Sequence, residues 1–189
     1  KKDKERELKQ GNDGAWVAHP SLVGPVKSIF EKNFKGPNQL DKFNNEKINR
    51  RDLLDEPKIE NAISEKGIRE NLNEGIEYMA FWMIGTGCCV VNYLMADAAT
   101  CEVSRAQLWV WLKYKAKLND GRAIDEKLID ELITDELDKI RKKFSSWKER
   151  TGDKSLDHVS FESAAKIFKD MITKENFDDF LTLPLYEKI

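Results

Sequence analysis

Ile124, Leu128, Leu132, Leu137, Ile140 and Phe144 follow one another at steps of three to five residues. That period lines one face of an α-helix and cannot line one face of a strand. The spacing predicts a helix over 125–144. Its acids come early and its Lys and Arg residues late, matching the helix dipole. The same period recurs in Ile68, Leu72, Ile76, Ala80 and Met83, which predicts a helix over 65–84, stopped by Gly85 and Gly87. A third helix is expected over 102–118, with Leu108, Trp109, Trp111 and Leu112. Two tryptophans two positions apart cannot share one helix face, so one of them should meet a second surface. Ser160 should open another helix, with Phe161, Ala164, Ile167, Phe168 and Met171 inward. A last segment carries Phe177, Phe180 and Leu181, and Pro184 is expected to end it, with Leu183, Leu185 and Tyr186 docking on the body. Residues 64–189 therefore read as an all-α bundle of about five helices.

The first part reads differently. Lys1 to Gln10 is a charged run with helical propensity, closed by the turn Gly11-Asn-Asp-Gly14. Ala15-Trp-Val-Ala18 reads as one very short strand, ended by His19-Pro20. Ser21 can cap a helix bearing Leu22, Val26, Ile29, Phe30 and Phe34, which Gly36-Pro37 stops. A strand followed by a helix, over 1–37, looks like one unit of an α/β fold without its partners. Residues 38–63 read as a linker, with a helical turn near Asp52-Leu54 and Pro57 closing it.

Composition removes several functions. With 32 Lys and Arg against 34 Asp and Glu, the net charge of −2 gives no one-signed surface for nucleic acid. No apolar run approaches the roughly 20 residues that span a bilayer, so no membrane partner is expected. Cys88, Cys89 and Cys101 lack CxxC spacing and read as reduced thiols of a cytoplasmic compartment rather than as a disulfide or zinc framework. No phosphate loop or HExxH is present, and no acidic set has metal-ligand spacing. His158 reads as solvated, and His19 is open between a structural and a functional role. Lys1 stands where a Met would begin a chain, inside a charged run, so a piece of something longer is expected.

One acid stands out. Asp97 lies among Met95, Ala96, Ala98 and Ala99 in the least polar run of the sequence. An ionised acid buried without a partner costs several kcal/mol, on the order of magnitude of a typical domain's stability. Two readings are open: a helix N-cap accepting backbone N–H groups, or a general base in a partly dry pocket.

Several motifs carry a family resemblance. Asp3-Lys-Glu-Arg-Glu7 and Asp13-Gly-Ala-Trp-Val-Ala-His-Pro20 resemble the segment closing the catalytic barrel of malate synthases. Gly67-Ile-Arg-Glu-Asn-Leu72, Gly75-Ile-Glu-Tyr78, Gly85-Thr-Gly-Cys88 and the run from Leu94 to Arg105 resemble the same family's C-terminal domain, and Phe180-Leu-Thr-Leu-Pro-Leu-Tyr186 resembles its ending. The resemblance implies a mainly α chain: a C-terminal helical domain preceded by the strand-helix remnant of a (β/α)₈ TIM barrel. It implies an enzyme of the glyoxylate cycle that condenses acetyl-CoA with glyoxylate and water to give malate and CoA. Asp97 falls at the family's catalytic base, and Trp16, Pro20 and Met95 fall where substrate and CoA are bound. Mg²⁺ would hold glyoxylate, its ligands lying outside these 189 residues, on the missing N-terminal barrel segment that is itself an expected partner. The fragment alone is thus expected to be inactive. The sequence departs from the family where Ala96 replaces a Glu, in Cys89-Val-Val-Asn-Tyr93, and in the linker around Lys58 to Ser64. No Ser-Lys-Leu ending follows Ile189, so a cytoplasmic location is expected, with the peroxisome or glyoxysome as the other compartment. The alternative reading is a non-catalytic helical interaction or assembly module derived from that domain.

Overall fold

A computed structural model describes residues 1–17, 19–42, 47–54, 62–152 and 154–187. The chain divides into two compact units, Lys1–Ile59 and Glu60–Ile189. Among the described residues no helix is long and apolar enough to cross a membrane.

In the first unit, α1 (Lys2–Lys9) ends at the turn around Gly11, whose φ of +99° suits glycine. Leu8 and Phe30 are its buried apolar residues. Gln39 ties the end of α1 to the later chain, its amide donating to the carbonyls of Leu8 (3.1 Å) and Asn12 (2.7 Å). The expected strand does not form: Ala15–Val17 pairs with nothing among the described residues, and Ala18 lies outside them. Three extended residues gain no ladder bonds without a neighbour. Nor does Ser21 cap α2 (Val23–Asn33). It lies inside a 3₁₀ turn, Pro20–Leu22, that leads into the helix, and His19 caps that turn through Nδ1, which accepts from the Ser21 N–H at 3.2 Å. The helical turn expected in the linker is α3 (Arg50–Leu54), where Asp52 accepts from the Asn49 N–H. Pro57 and most of the atypical linker run lie outside the described residues.

Among its described residues the second unit holds five helices and one hairpin. Its central element is α4 (Glu65–Trp82), opened by Ser64, whose hydroxyl accepts from the Gly67 N–H. Ile68, Leu72, Ile76, Met79 and Ala80 are wholly buried. Three helices surround it: α5 (Ala98–Lys113), α6 (Glu126–Thr151) and α7 (Phe161–Thr173). Close approach to α7 is possible because residue 75 is glycine. A β-carbon there would sit 2.5 Å from two ring carbons of Phe168 and nearer still to a third. Asp125 caps α6, which runs past Phe144 because nothing breaks it before Gly152, a left-handed C-cap at φ +66°. Ser160 caps α7 as expected. Pro184 does not end the last segment. It lies inside α8 (Thr182–Tyr186), in a first turn where its missing N–H goes unneeded. Leu181 and Leu185 are buried there, while Leu183 and Tyr186 stay exposed, Tyr186 setting its ring edge-on to Trp82 at 5.1 Å.

Between α4 and α5 runs a hairpin, β1 (Cys89–Val91) and β2 (Leu94–Ala96), antiparallel with Cys89 opposite Ala96 and Val91 opposite Leu94. Asn92 and Tyr93 turn it with φ of +49° and +65°, the paired left-handed geometry of a two-residue loop. Asn92 also donates to the Asn73 amide oxygen at 3.1 Å, pinning the hairpin tip to α4.

Candidate active site

Asp97 occupies the corner where β2 becomes α5. It follows Ala96 directly and is the N-cap of the helix. Oδ1 accepts from the N–H groups of Ala99 (2.9 Å) and Thr100 (3.1 Å). Thr100 returns the contact, its Oγ1 accepting from the Asp97 N–H at 3.0 Å. This reciprocal cap starts α5 four residues before the expected Glu102, because the helix needs its orphan N–H groups satisfied and Asp97 supplies the acceptor. The cap reading of this acid is therefore met, with Oδ1. Among the described residues Oδ2 accepts no hydrogen bond. The side chain is exposed rather than held in a partly dry pocket of this unit.

The floor below the corner is apolar. Ala96, Cys101 and Tyr78 are buried, the Tyr78 hydroxyl donating to the Gly87 carbonyl at 3.2 Å. Burial pushes the Tyr78 phenol up to about 12. It does the same to the Cys89 thiol, also to about 12, and raises Cys101 further. Neutral thiols are poor nucleophiles, so neither of these cysteines competes with Asp97 for chemistry. All three cysteines are free. Next to the corner on β2, Met95 is half-buried, while Val90, Leu94 and Tyr93 of the hairpin are exposed.

The sequence-predicted residues fall in two places. Met95 and Asp97 share the hairpin corner of the second unit. Trp16, 83% exposed, and Pro20, at the head of the 3₁₀ turn, belong to the first unit. His19 acts as a cap and His158 is exposed in a turn. Among the described residues, no three His, Cys, Asp or Glu side chains gather so as to hold a metal ion. The donors among the described residues do not fit a Mg²⁺ site.

Two features near the corner escaped the sequence reading. One is the hairpin, signalled only by the Asn-Tyr pair between short apolar runs. The other is the pair Glu102 and Arg105, charges placed on the inward side of α5. Arg105 is wholly buried, its Nε donating to Glu102 Oε2 at 2.8 Å and its Nη2 ion-paired with the same oxygen at 2.6 Å. The tryptophan pair behaves as expected. Trp111 packs towards the core, while Trp109 turns to the C-terminal segment, its Nε1 donating to the Lys174 carbonyl at 2.8 Å.

Comparison with known proteins extends these observations to the whole chain. A family model described as "Malate synthase, C-terminal" matches residues 62–189, and one described as "Malate synthase, TIM barrel domain" matches residues 1–56. The chain is similar to a malate synthase of Myxococcus xanthus (strain DK1622), 42% identical over 188 residues, covering 99% of this chain and 33% of that protein. It is 38% identical over 192 residues to a glyoxysomal malate synthase of Candida tropicalis, covering 100% of this chain and 33% of the relative. A bifunctional glyoxylate cycle protein of Caenorhabditis elegans is also 38% identical, over 99% of this chain and 18% of its own length. The chain thus spans about a third of the length of the first two, and none of these names favours a non-catalytic module. With its barrel segment, its C-terminal helical domain and an identity that runs its full length, the chain belongs to the malate synthase family.

Proposed function

We propose that this chain is the part of a malate synthase that supplies the catalytic base, and that Asp97 is that base. The observation supporting this reading is the division of labour in one carboxylate: Oδ1 caps α5, and Oδ2 accepts no hydrogen bond among the described residues, next to the buried Ala96 and Cys101. In the reaction, Oδ2 takes a proton from the methyl group of acetyl-CoA. The electron pair left behind becomes the thioester enolate, which bonds to the aldehyde carbon of glyoxylate. The aldehyde oxygen takes up a proton, and water then cleaves the thioester to give malate and CoA. The thioester methyl is a very weak acid, so the base must sit at contact distance. Helix α5 does this by fixing the carboxylate at its first turn. By the same resemblance, Trp16 and Pro20 in the first unit would bind acetyl-CoA and glyoxylate, and Met95 would do so beside the base in the second. The magnesium implied by the resemblance finds no ligand set among the described residues, and no step is assigned to it. The isolated chain should accordingly form no malate. We place the reaction in the cytoplasm. The glyoxysomal names of relatives point to that organelle as the other compartment, and fluorescence localisation of the full-length protein decides between them.

Asp97→Asn in a full-length family enzyme built on this chain tests the assignment. Asn caps a helix about as well as Asp, so thermal stability should hold. An amide accepts no proton, and loss of a general base costs typically ~10² to 10⁴ in rate. Malate formation and deuterium exchange into the acetyl methyl group should fall together. An Asp97→Asn variant that keeps its turnover per folded molecule removes Asp97 from the chemistry.

A further inference from the structure

The second unit buries a charged clasp that the reaction as drawn does not use. On α5, Glu102 and Arg105 hold the chain that follows α7. Arg105 Nη2 donates to the Asp178 carbonyl at 2.9 Å, and the guanidinium lies 3.8 Å from the centroid of the Phe177 ring. Glu102 divides its carboxylate, Oε2 taking Arg105 and Oε1 accepting from the Leu181 N–H at 2.6 Å. One turn further on, Trp109 holds the Lys174 carbonyl and packs on Phe177 with centroids 5.1 Å apart. Residues 174–181 are thereby laid along α5 in one register, with Leu181 and Leu185 buried below.

Stability alone does not call for this arrangement. A buried ion pair is often replaced by apolar side chains at no cost, because desolvation offsets the attraction. Arg105 even leaves Nη1 buried without a partner among the described residues. A fork that grips a carboxylate, a carbonyl and a ring face at once does something an apolar residue cannot. It selects one placement of the arm against the helix. That helix begins at Asp97, and Glu102 lies five residues along it.

We propose that Arg105, with Glu102, is a positioning residue. It locks the C-terminal arm onto α5 and so holds the N-cap carboxylate of that helix where the substrate methyl meets it. The inference rests on Asp97 being the base. A displacement of about 1 Å at a reacting group can cost on the order of 10² in rate, so a loosened α5 need not unfold to lose activity.

The test uses the full-length enzyme with four variants side by side: Arg105→Met, Arg105→Lys, Trp109→Phe and Asp97→Asn. The readouts are kcat, KM for acetyl-CoA and amide hydrogen exchange over 177–181. Arg105→Met should speed exchange in the arm at least tenfold and lower kcat at least tenfold, with KM within threefold. Arg105→Lys keeps a charge for Glu102 but lacks the fork, and should fall between Met and the parent. Trp109→Phe removes the N–H that holds Lys174 and shrinks the ring that packs on Phe177, leaving the Arg105 fork in place, and should shift both readouts in the same direction by less. It also keeps the question answerable should the Met variant not fold. An arm released with kcat unchanged in Arg105→Met or Trp109→Phe, or an arm that stays protected in both, overturns the proposal. If Asp97→Asn is inactive while Arg105→Met is fully active, the positioning role fails alone. If Asp97→Asn is fully active, the base assignment fails, and the inference built on it fails with it.

Discussion

Gly75→Ala adds one methyl group at the point where α4 meets α7. Two opposed effects decide its sign. In an exposed helix, Ala is better than Gly by about 1 kcal/mol. Here the new carbon would stand 2.5 Å from Cε1 and Cε2 of Phe168, and closer to Cζ. Carbon atoms rest about 3.5–4.0 Å apart, so the ring or the helix must retreat by roughly 1 Å. Phe168 has no free side to move into, being 0% exposed. Overpacking of this kind costs about 1–3 kcal/mol and occasionally more, and the upper end applies because the ring is confined. After the propensity gain is set against it, the variant should lose about 2 kcal/mol, or ~4–8 °C in Tm for a chain of this size. Urea unfolding followed by tryptophan fluorescence and far-UV circular dichroism measures it. Phe168→Leu shortens the opposing side chain and should rescue the variant, giving a coupling energy of about 1 kcal/mol or more in a double-mutant cycle. A Gly75→Ala protein as stable as the parent, or more stable, would show that helix propensity governs this site and that the helices are not in close contact there.

Three further outcomes are expected. Asp97→Ala, unlike Asp97→Asn, removes the cap and should destabilise the chain by about 0.5–2 kcal/mol in urea unfolding; equal stability of the two variants would refute the capping role. Glu77 is wholly buried against Lys143 at 2.6 Å, and burial raises its carboxyl above the ordinary range more than Lys143 lowers it. A raised acid stabilises the fold fully below its unfolded value of 4.5, and that contribution is lost as pH rises through the folded value. Glu77→Gln stays neutral, so its stability relative to the parent should climb as pH rises above 4.5, and a decline would contradict the sign. Tyr93 is fully exposed at φ +65°, so Tyr93→Gly should raise Tm slightly, by up to about 1 kcal/mol of stability, as the left-handed strain is relieved; a loss would mean that the Tyr93 ring holds the hairpin.

Much of the architecture depends on residues close together in the chain, and that part could be read directly. Ser160 is expected to open a helix and does so by accepting an N–H three residues on; Ser64 and Asp125 cap theirs in the same local way, and the apolar period of each helix closes within two turns. The stop at Gly152 is equally local, since it depends on one left-handed residue, yet the expected helix ends at 144, where its apolar period runs out, and α6 continues to Thr151. Asp97 was visible as an acid out of place, and both of its readings turn on the two oxygens of one carboxylate.

What stayed hidden depends on pairs far apart in the chain. A strand exists only with a neighbour, so Ala15–Val17 looked like one and is not. Two three-residue strands, by contrast, became a hairpin because each supplied the other's ladder. Gly75 reads as a weak point in a helix until Phe168 arrives from α7. Glu102 reaches 79 positions to Leu181, and Arg105 reaches 73 to Asp178. Local spacing sets which face of α5 is apolar, but packing alone chooses what lies against it, because long-range contacts are selected by the shape and desolvation of the assembled core rather than by any period in the chain.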